Sequence, residues 1–376
     1  MIPAASRFPM KTIPPPVDTH PAHGIAEREE YGLTILSPIG QKPRRRLLYV
    51  NSYGGRCHWN EIKHGMVAPH HLWGCLELVR MGYEVGLAEP LPDFYLHRNP
   101  LPHDLRLLSA VRSWLGRDGI VYCGHNVLYW LPLLRELGAH HCSIVSLLFA
   151  REPLDQSRAH SGIIALTPPA ADHARKLAPH AHVAHLGWGA SLGLFPQLDY
   201  SPDAFLSCGR TRRDDVTLVA AANLSRRPFR VVSPLRPSDY TWPANVHVSR
   251  GAPGETYTEF LRDQYGGCAA SLIILSPDPL QRTAVGMTNL IEALAMGRPV
   301  IVTRTGAIPD ELDVERAGCG VHVPPSDPQA VVRAIEQLAT DVRGAEEMGS
   351  NGRGLCERRY NMGRFTSDLH EFFEAL

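Results

Sequence analysis

The seven residues from Gly286 to Glu292 hold the densest set of groups able to do chemistry in this chain of 376 residues. The glycine reads as a turn leaving a strand. Beyond it the pattern is that of a short helix from about Asn289 to Met296, stopped by Gly297 and feeding a buried strand over Pro299–Thr303. In such a turn the N–H groups of Met287, Thr288 and Asn289 face an incoming anion or sugar hydroxyls, and the helix dipole adds to the attraction. This spacing puts Glu292 in the first helical turn. Its carboxylate there accepts hydrogen bonds from the two hydroxyls of a ribose, or reaches back to cap Asn289 as an N-x-x-E box.

A second set is Ser207-Cys-Gly209-Arg210-Thr-Arg212-Arg213-Asp214-Asp215, at the end of an apolar strand and before a helix. Guanidinium forks at Arg210 and Arg213 beside the Gly209 turn match the oxygens of a diphosphate; the alternative is a solvated surface run paired with Asp214 and Asp215. Gly54-Gly55 follows the opening strand, so backbone there can approach a ligand closely. His125 follows another strand end, where a polar side chain lines a cleft or is a plain loop residue. Gly189-Ala-Ser191-Leu-Gly193 fits a nucleophile elbow in letters, but Pro196 forbids the helix an elbow needs. His70-His71, His140-His141 and the remainder of the 19 histidines lack zinc spacing and read as surface or packing residues, and no D-x-D triplet occurs.

Positioning these groups requires alternating strands and helices, and the chain supplies them. Apolar runs near Leu47–Asn51, Glu84–Ala88, Ile120–Cys123, Ser143–Phe149, Gly162–Leu166 and His182–Leu186 alternate with helical patterns such as 71–81, 104–115, 127–137 and 170–177. A Gly- and Pro-rich stretch, 187–202, then starts a second series: 204–208, 230–233, 246–249, 270–276, 299–303 and 320–323. The fold class expected is α/β, two Rossmann-like doubly wound domains facing a cleft, with ligands beyond the C-terminal strand ends. The expected units are a mobile arm over 1–30, an N-terminal domain over 31–195, a C-terminal domain over 203–355, and a terminal helix over 356–376 returning to the first domain.

Composition excludes several classes. Hydrophobic residues reach 44% with 6 Trp, 12 Tyr and 10 Phe, too apolar for a disordered chain. Lys plus Arg and Asp plus Glu are both 38, so no broad positive field is available for nucleic acid. Apolar runs are too short to span a membrane, and at most a weak membrane-surface contact through Arg44–Arg46, Arg106, Arg112 and Trp114 is expected. Eight scattered cysteines without C-x-x-C pairs suit a reducing cytoplasm.

From Ala204 to Thr340 the ordered set Gly209-Arg210, Gly286 to Thr303, Gly318-Cys-Gly320 and Asp327-Pro328 resembles the retaining nucleotide-sugar glycosyltransferases of family four, which have the GT-B fold. The first half resembles them more diffusely, through Gly54-Gly55 and the pattern ending in Glu84-Val85. The resemblance implies that Glu292 holds the donor ribose, Arg210 the diphosphate, and Met287, Thr288 and Asn289 the donor sugar or phosphate. It implies donor contact at Gly286 and Gly209, and acceptor or phosphate contact at Gly54 and Gly55. Three departures stand out. Ala284 replaces the family's first glutamate, Asp215 replaces its lysine so that Arg213 becomes the substitute cation, and the family's histidine position falls near Leu148 or Phe149, so that its role is vacant or filled by His125. The expected activity is transfer of a sugar from a nucleoside diphosphate donor, UDP favoured, to an unidentified acceptor, with no metal and no cofactor. An epimerase of the same fold and a non-catalytic nucleotide-sugar-binding subunit are the alternatives.

Overall fold

The computed structural model describes residues 22–51, 54–89, 101–124, 127–128, 130–149, 157–209, 212–232, 240–249, 257–277, 285–305, 308 and 312–376. Among them the chain builds two sheets in succession. The first takes β1 (Ile25–Glu30), β2 (Leu33–Pro38), β3 (Arg45–Val50), β4 (Tyr83–Leu87), β5 (Ile120–Gly124), β6 (Ser143–Leu148), β7 (Gly162–Ala165) and β8 (His182–His185) in the order β1-β2-β4-β3-β5-β6-β7-β8. The second takes β9 (Phe205–Cys208), β10 (Phe229–Val232), β11 (Val246–Ser249), β12 (Ala270–Ile273), β13 (Val300–Thr303) and β14 (Gly320–Val323) in the order β11-β10-β9-β12-β13-β14. Every pairing in the second sheet is parallel, as are those from β4 to β8 in the first.

Parallel strands need crossovers, and helices provide them. In the first half these are α1 (Gly55–Lys63), α2 (Cys75–Arg80), α3 (Leu101–Ala110), α4 (Trp130–Glu136) and α5 (Pro168–Leu177). In the second half they are α6 (Asp215–Leu224), α7 (Tyr257–Gly266), α8 (Met287–Ala295) and α9 (Pro328–Thr340). Then come α10 (Val342–Arg358) and α11 (Met362–Glu374). Burial on both faces explains the unbroken apolar runs. In β3, Leu47 and Tyr49 join one core cluster while Leu48 and Val50 join the opposite one.

The two halves share apolar surface. One buried cluster runs from the first sheet through Trp188 and Phe195 of the connecting segment to Leu290 of α8 and Phe365 of α11. The connecting segment and the returning chain are also laced by backbone bonds, Ala190 N to Tyr360 O at 3.0 Å and Met362 N to Ala190 O at 3.0 Å. Helix α11 lies against the first sheet, with Phe373 at 5.5 Å from Tyr122 and the Tyr83 hydroxyl 2.8 Å from His370 Nδ1.

The structure corrects four expectations. Residues 25–30 of the expected arm form β1, which turns through Tyr31 and Gly32, both at positive φ, into an antiparallel hairpin with β2; residues 1–21 lie outside the described residues. Strand β1 buries only Ile25, so its Glu and Arg side chains disguise it. The expected helix 71–81 is broken: a single 3-10 turn, Pro69–Leu72, gives way at left-handed Trp73 and Gly74 before α2 begins. The boundary at 355 cuts through α10, which runs to Arg358. Two of the residues expected at a membrane surface are engaged elsewhere. Trp114 is 3% exposed and donates to Glu84 at 3.0 Å, and Arg46 pairs with the same carboxylate.

Candidate active site

Gly209, Arg213 and Asn289 meet where β9 ends and α8 begins. Gly209 leaves β9 at φ +93°, a conformation other residues rarely adopt. The chain then runs beside the end of β12, with Asp214 N on Ile274 O at 3.0 Å and Ser276 N on Arg212 O at 2.9 Å. That path folds Arg213 back over the strand end. Its Nε donates to Cys208 O at 2.9 Å, and its Nη2 donates to Asn289 Oδ1. Asn289 Nδ2 in turn reaches Cys208 Sγ at 3.2 Å, and the thiol lies 3.0 Å from the Tyr265 hydroxyl. Burial pulls the Arg213 pKa below its ordinary value, while guanidinium remains the charged form at any working pH. The surface-run alternative does not hold for Arg213. It is half-buried, and Asp214 is the N-cap of α6, accepting from Thr217 N at 3.0 Å and its hydroxyl at 2.7 Å. Arg210 lies outside the described residues.

Helix α8 starts two residues earlier than its spacing suggested. Its N-cap is Gly286, at φ +87°, which as a glycine offers no side chain to cap the N–H groups of the first turn. Glu292 therefore belongs to the second turn, and the N-x-x-E cap is not formed, since Asn289 holds Arg213 instead. The start of α8 at Gly286, Met287, Thr288 and Asn289 is half-exposed and lies beside a guanidinium, a combination of donors that can accept an anion.

Glu292 points to the other half of the molecule. Its Oε1 is 3.3 Å from Nε2 of His70, which the 3-10 turn Pro69–Leu72 carries across from the N-terminal domain. His70 is fully buried, and the Glu292 side chain is 4% exposed. Burial pushes the Glu292 carboxyl up to about 7, with His71 opposing, and holds the His70 ring down at about 3. The backbone N–H of Ser191 donates to His70 Nδ1 at 3.2 Å. A backbone amide can only donate, so the neutral ring carries its proton on Nε2, the nitrogen 3.3 Å from Glu292 Oε1. From sequence His70 reads as a surface or packing residue; nothing in its neighbours announces a partner 222 positions later.

At the N-terminal domain's Gly54-Gly55 turn, a carboxylate of the chain itself occupies the start of α1. Glu89, just past β4, accepts from Cys57 N at 2.8 Å and from the Arg56 backbone, and a Cβ at Gly54 would overlap Glu89 Oε2. The sequence signal for it was its place two residues past a strand end. Nearby, buried Asp104 bonds His103 at 3.0 Å and accepts from Leu131 N at 2.9 Å, so it caps α4. His125 lies outside the described residues.

Among the described residues, one group of three ligating side chains is close enough for a metal ion: His70, His71 and Glu292, within 4.8 Å of one another. The tautomer argues against it. A metal needs the Nε2 lone pair, and ligating histidines donate from their other nitrogen, whereas His70 Nδ1 accepts.

Residues 256–341, which include the Gly286 turn and α8, match the model of a family described as Glycosyl transferases group 1. No curated protein sequence matches the chain. Among solved structures, the fold is similar to sucrose-phosphate synthase from Thermosynechococcus elongatus, at 14% identity and TM-score 0.65, covering 88% of this chain and 99% of that one. It is similar to α,α-trehalose 6-phosphate synthase from Burkholderia multivorans, at 9% identity and TM-score 0.63, covering 89% and 97%. It is also similar to Anabaena HepE in complex with UDP and glucose, at 12% identity and TM-score 0.60, covering 89% and 100%. The fold is thus the GT-B arrangement of two facing α/β domains. No helix among the described residues is long and apolar enough to cross a membrane.

Proposed function

We propose that this chain is a glycosyltransferase that moves a sugar from a nucleoside diphosphate donor, UDP favoured, to a glycan, lipid-linked or small-molecule acceptor with retention of configuration and without a metal ion. One observation carries the reading. Arg213, Asn289 and the glycine-capped start of α8 converge at the C-terminal ends of β9 and β12, and of these Asn289, α8 and β12 lie inside the segment that matches a glycosyltransferase family. As the bond from the anomeric carbon to the phosphate oxygen breaks, its electron pair stays on the diphosphate. Arg213, with Arg210 three residues before it, and the amides of Met287 and Thr288 are the groups suited to receive that charge. Charge-assisted hydrogen bonds contribute about 1.5–3 kcal/mol each, so three supply on the order of 5–9 kcal/mol at a site from which closure removes water. Glu292 holds the ribose, and the face near Gly54-Gly55 admits the acceptor. UDP is favoured because HepE, of similar fold, was solved with UDP and glucose. A reducing compartment such as the cytoplasm agrees with eight free thiols, seven of them buried.

A thermal-shift panel of UDP, GDP, ADP, CDP and TDP, with and without EDTA, tests this. One nucleotide should stand out and the chelator should change nothing. Mass spectrometry of the matching sugar donor, incubated alone and with candidate acceptors, then separates transfer from epimerisation. A donor converted without an acceptor and without hydrolysis, or no nucleotide binding at all, would refute it.

A further inference from the structure

We propose that His70 is a positioning residue: it reaches from the N-terminal domain to fix the Glu292 carboxylate for the donor ribose, so that the ribose grip is complete only when the two domains are together. The inference deepens the function proposed above and rests on the ribose role of Glu292. Three observations support it. The Ser191 amide selects the ring tautomer that presents N–H to Glu292 Oε1 at 3.3 Å. Among the described residues His70 Nε2 has no properly aligned hydrogen-bond acceptor, although it is fully buried, so its N–H bond is completed by a modest shift of the carboxylate. The ring is also clamped on several sides. Trp188 meets it edge-on at 5.2 Å, Phe195 packs at 5.6 Å and His71 at 4.7 Å.

The contributors come from three places: the 3-10 turn of the first domain, the connecting segment at Trp188, Ser191 and Phe195, and α8 of the second domain. A carboxylate held at one oxygen by such a group offers the other to vicinal hydroxyls in a fixed direction. Of the groups facing Glu292, His70 and His71 lie on the turn and Tyr265 on α7, so His70 alone is both buried and in ion-pair range.

The test uses UDP, or whichever nucleoside diphosphate the panel selects, and its 2′,3′-dideoxy analogue, titrated calorimetrically into the full chain. The wild type should prefer the ribonucleotide by roughly tenfold or more. Glu292→Gln and His70→Phe should each reduce that preference to within about twofold of unity, and the double variant should lose no more than either alone. His70→Gln keeps an N–H donor and should recover most of it; melting curves of all four establish that they fold. If His70→Phe folds and keeps the full preference while Glu292→Gln loses it, the inference fails and the donor site stands. If Glu292→Gln also keeps it, both fall.

Discussion

Replacing Gly209 with alanine reaches the corner proposed to hold the diphosphate without removing any of its functional groups. At φ +93° a residue with a Cβ costs on the order of 1–3 kcal/mol. The added Cβ would overlap Arg213 Nη2 and Asn289 Oδ1, and it would come within 3.0 Å of Arg213 Cζ. Both obstructions are the far ends of side chains, so they can yield, and yielding breaks the bond between them. Losing one hydrogen bond to a charged group costs about 1.5–3 kcal/mol. Total destabilisation is therefore on the order of 2.5–6 kcal/mol, read by denaturant unfolding. A displaced guanidinium should weaken UDP binding by about 10- to 100-fold in calorimetry, since 1.4 kcal/mol is a factor of ten. Free uridine, which lacks phosphate, should bind within about threefold of wild type. A variant that loses stability but binds UDP as tightly as the wild type would refute the placement of the diphosphate on Arg213.

Arg213→Ala should weaken UDP by 10-fold or more and uridine little; equal losses for both in calorimetry would remove its phosphate role. Uridine affinity should rise roughly tenfold between pH 6 and pH 8, because a carboxyl titrating near 7 accepts ribose hydroxyls best when ionised, and Glu292→Gln should flatten that profile. Uridine is the right probe because a terminal phosphate itself titrates near pH 6. The stability of the free protein runs the other way. Glu292 binds its proton more tightly folded than unfolded, so its contribution is present below about 4.5 and is lost as pH rises through about 7. His70, held at about 3, withdraws stability as pH falls from 6.5 toward 3. Glu89→Ala removes the carboxylate from the start of α1 and should cost about 0.5–2 kcal/mol in denaturant unfolding, with UDP affinity unchanged. A tenfold change in UDP affinity there would place donor phosphate on the Gly54-Gly55 side.

The parallel strands were legible because burial on both faces leaves short apolar runs, too short for helices, as at β5 and β12. Helix α9 was legible from its Asp327 cap and Pro328. Helix α10 was not, because Gly344, Gly349, Gly352 and Gly354 read as breakers. Two of them instead mark contact with α8: a Cβ at Gly349 would overlap Gly297 O, and one at Gly352 would sit 2.6 Å from Leu294 Cδ2. Within the site, the Gly286 turn and Arg213 were legible because strand, glycine, cation and helix start are consecutive in the chain. His70 and Glu89 were not, since each acts on residues brought to it only by the fold: Glu292 from the facing domain and Cys57 from a helix 32 positions earlier.

A crystal structure of the chain with UDP bound measures the central claim most directly. Diphosphate oxygens should lie within hydrogen-bond distance, about 2.7–3.2 Å, of Arg213 and the Met287 and Thr288 amides, with the ribose hydroxyls on Glu292. A nucleotide bound elsewhere, or a diphosphate held by a divalent ion with Arg213 and the Gly286 turn untouched, would contradict it.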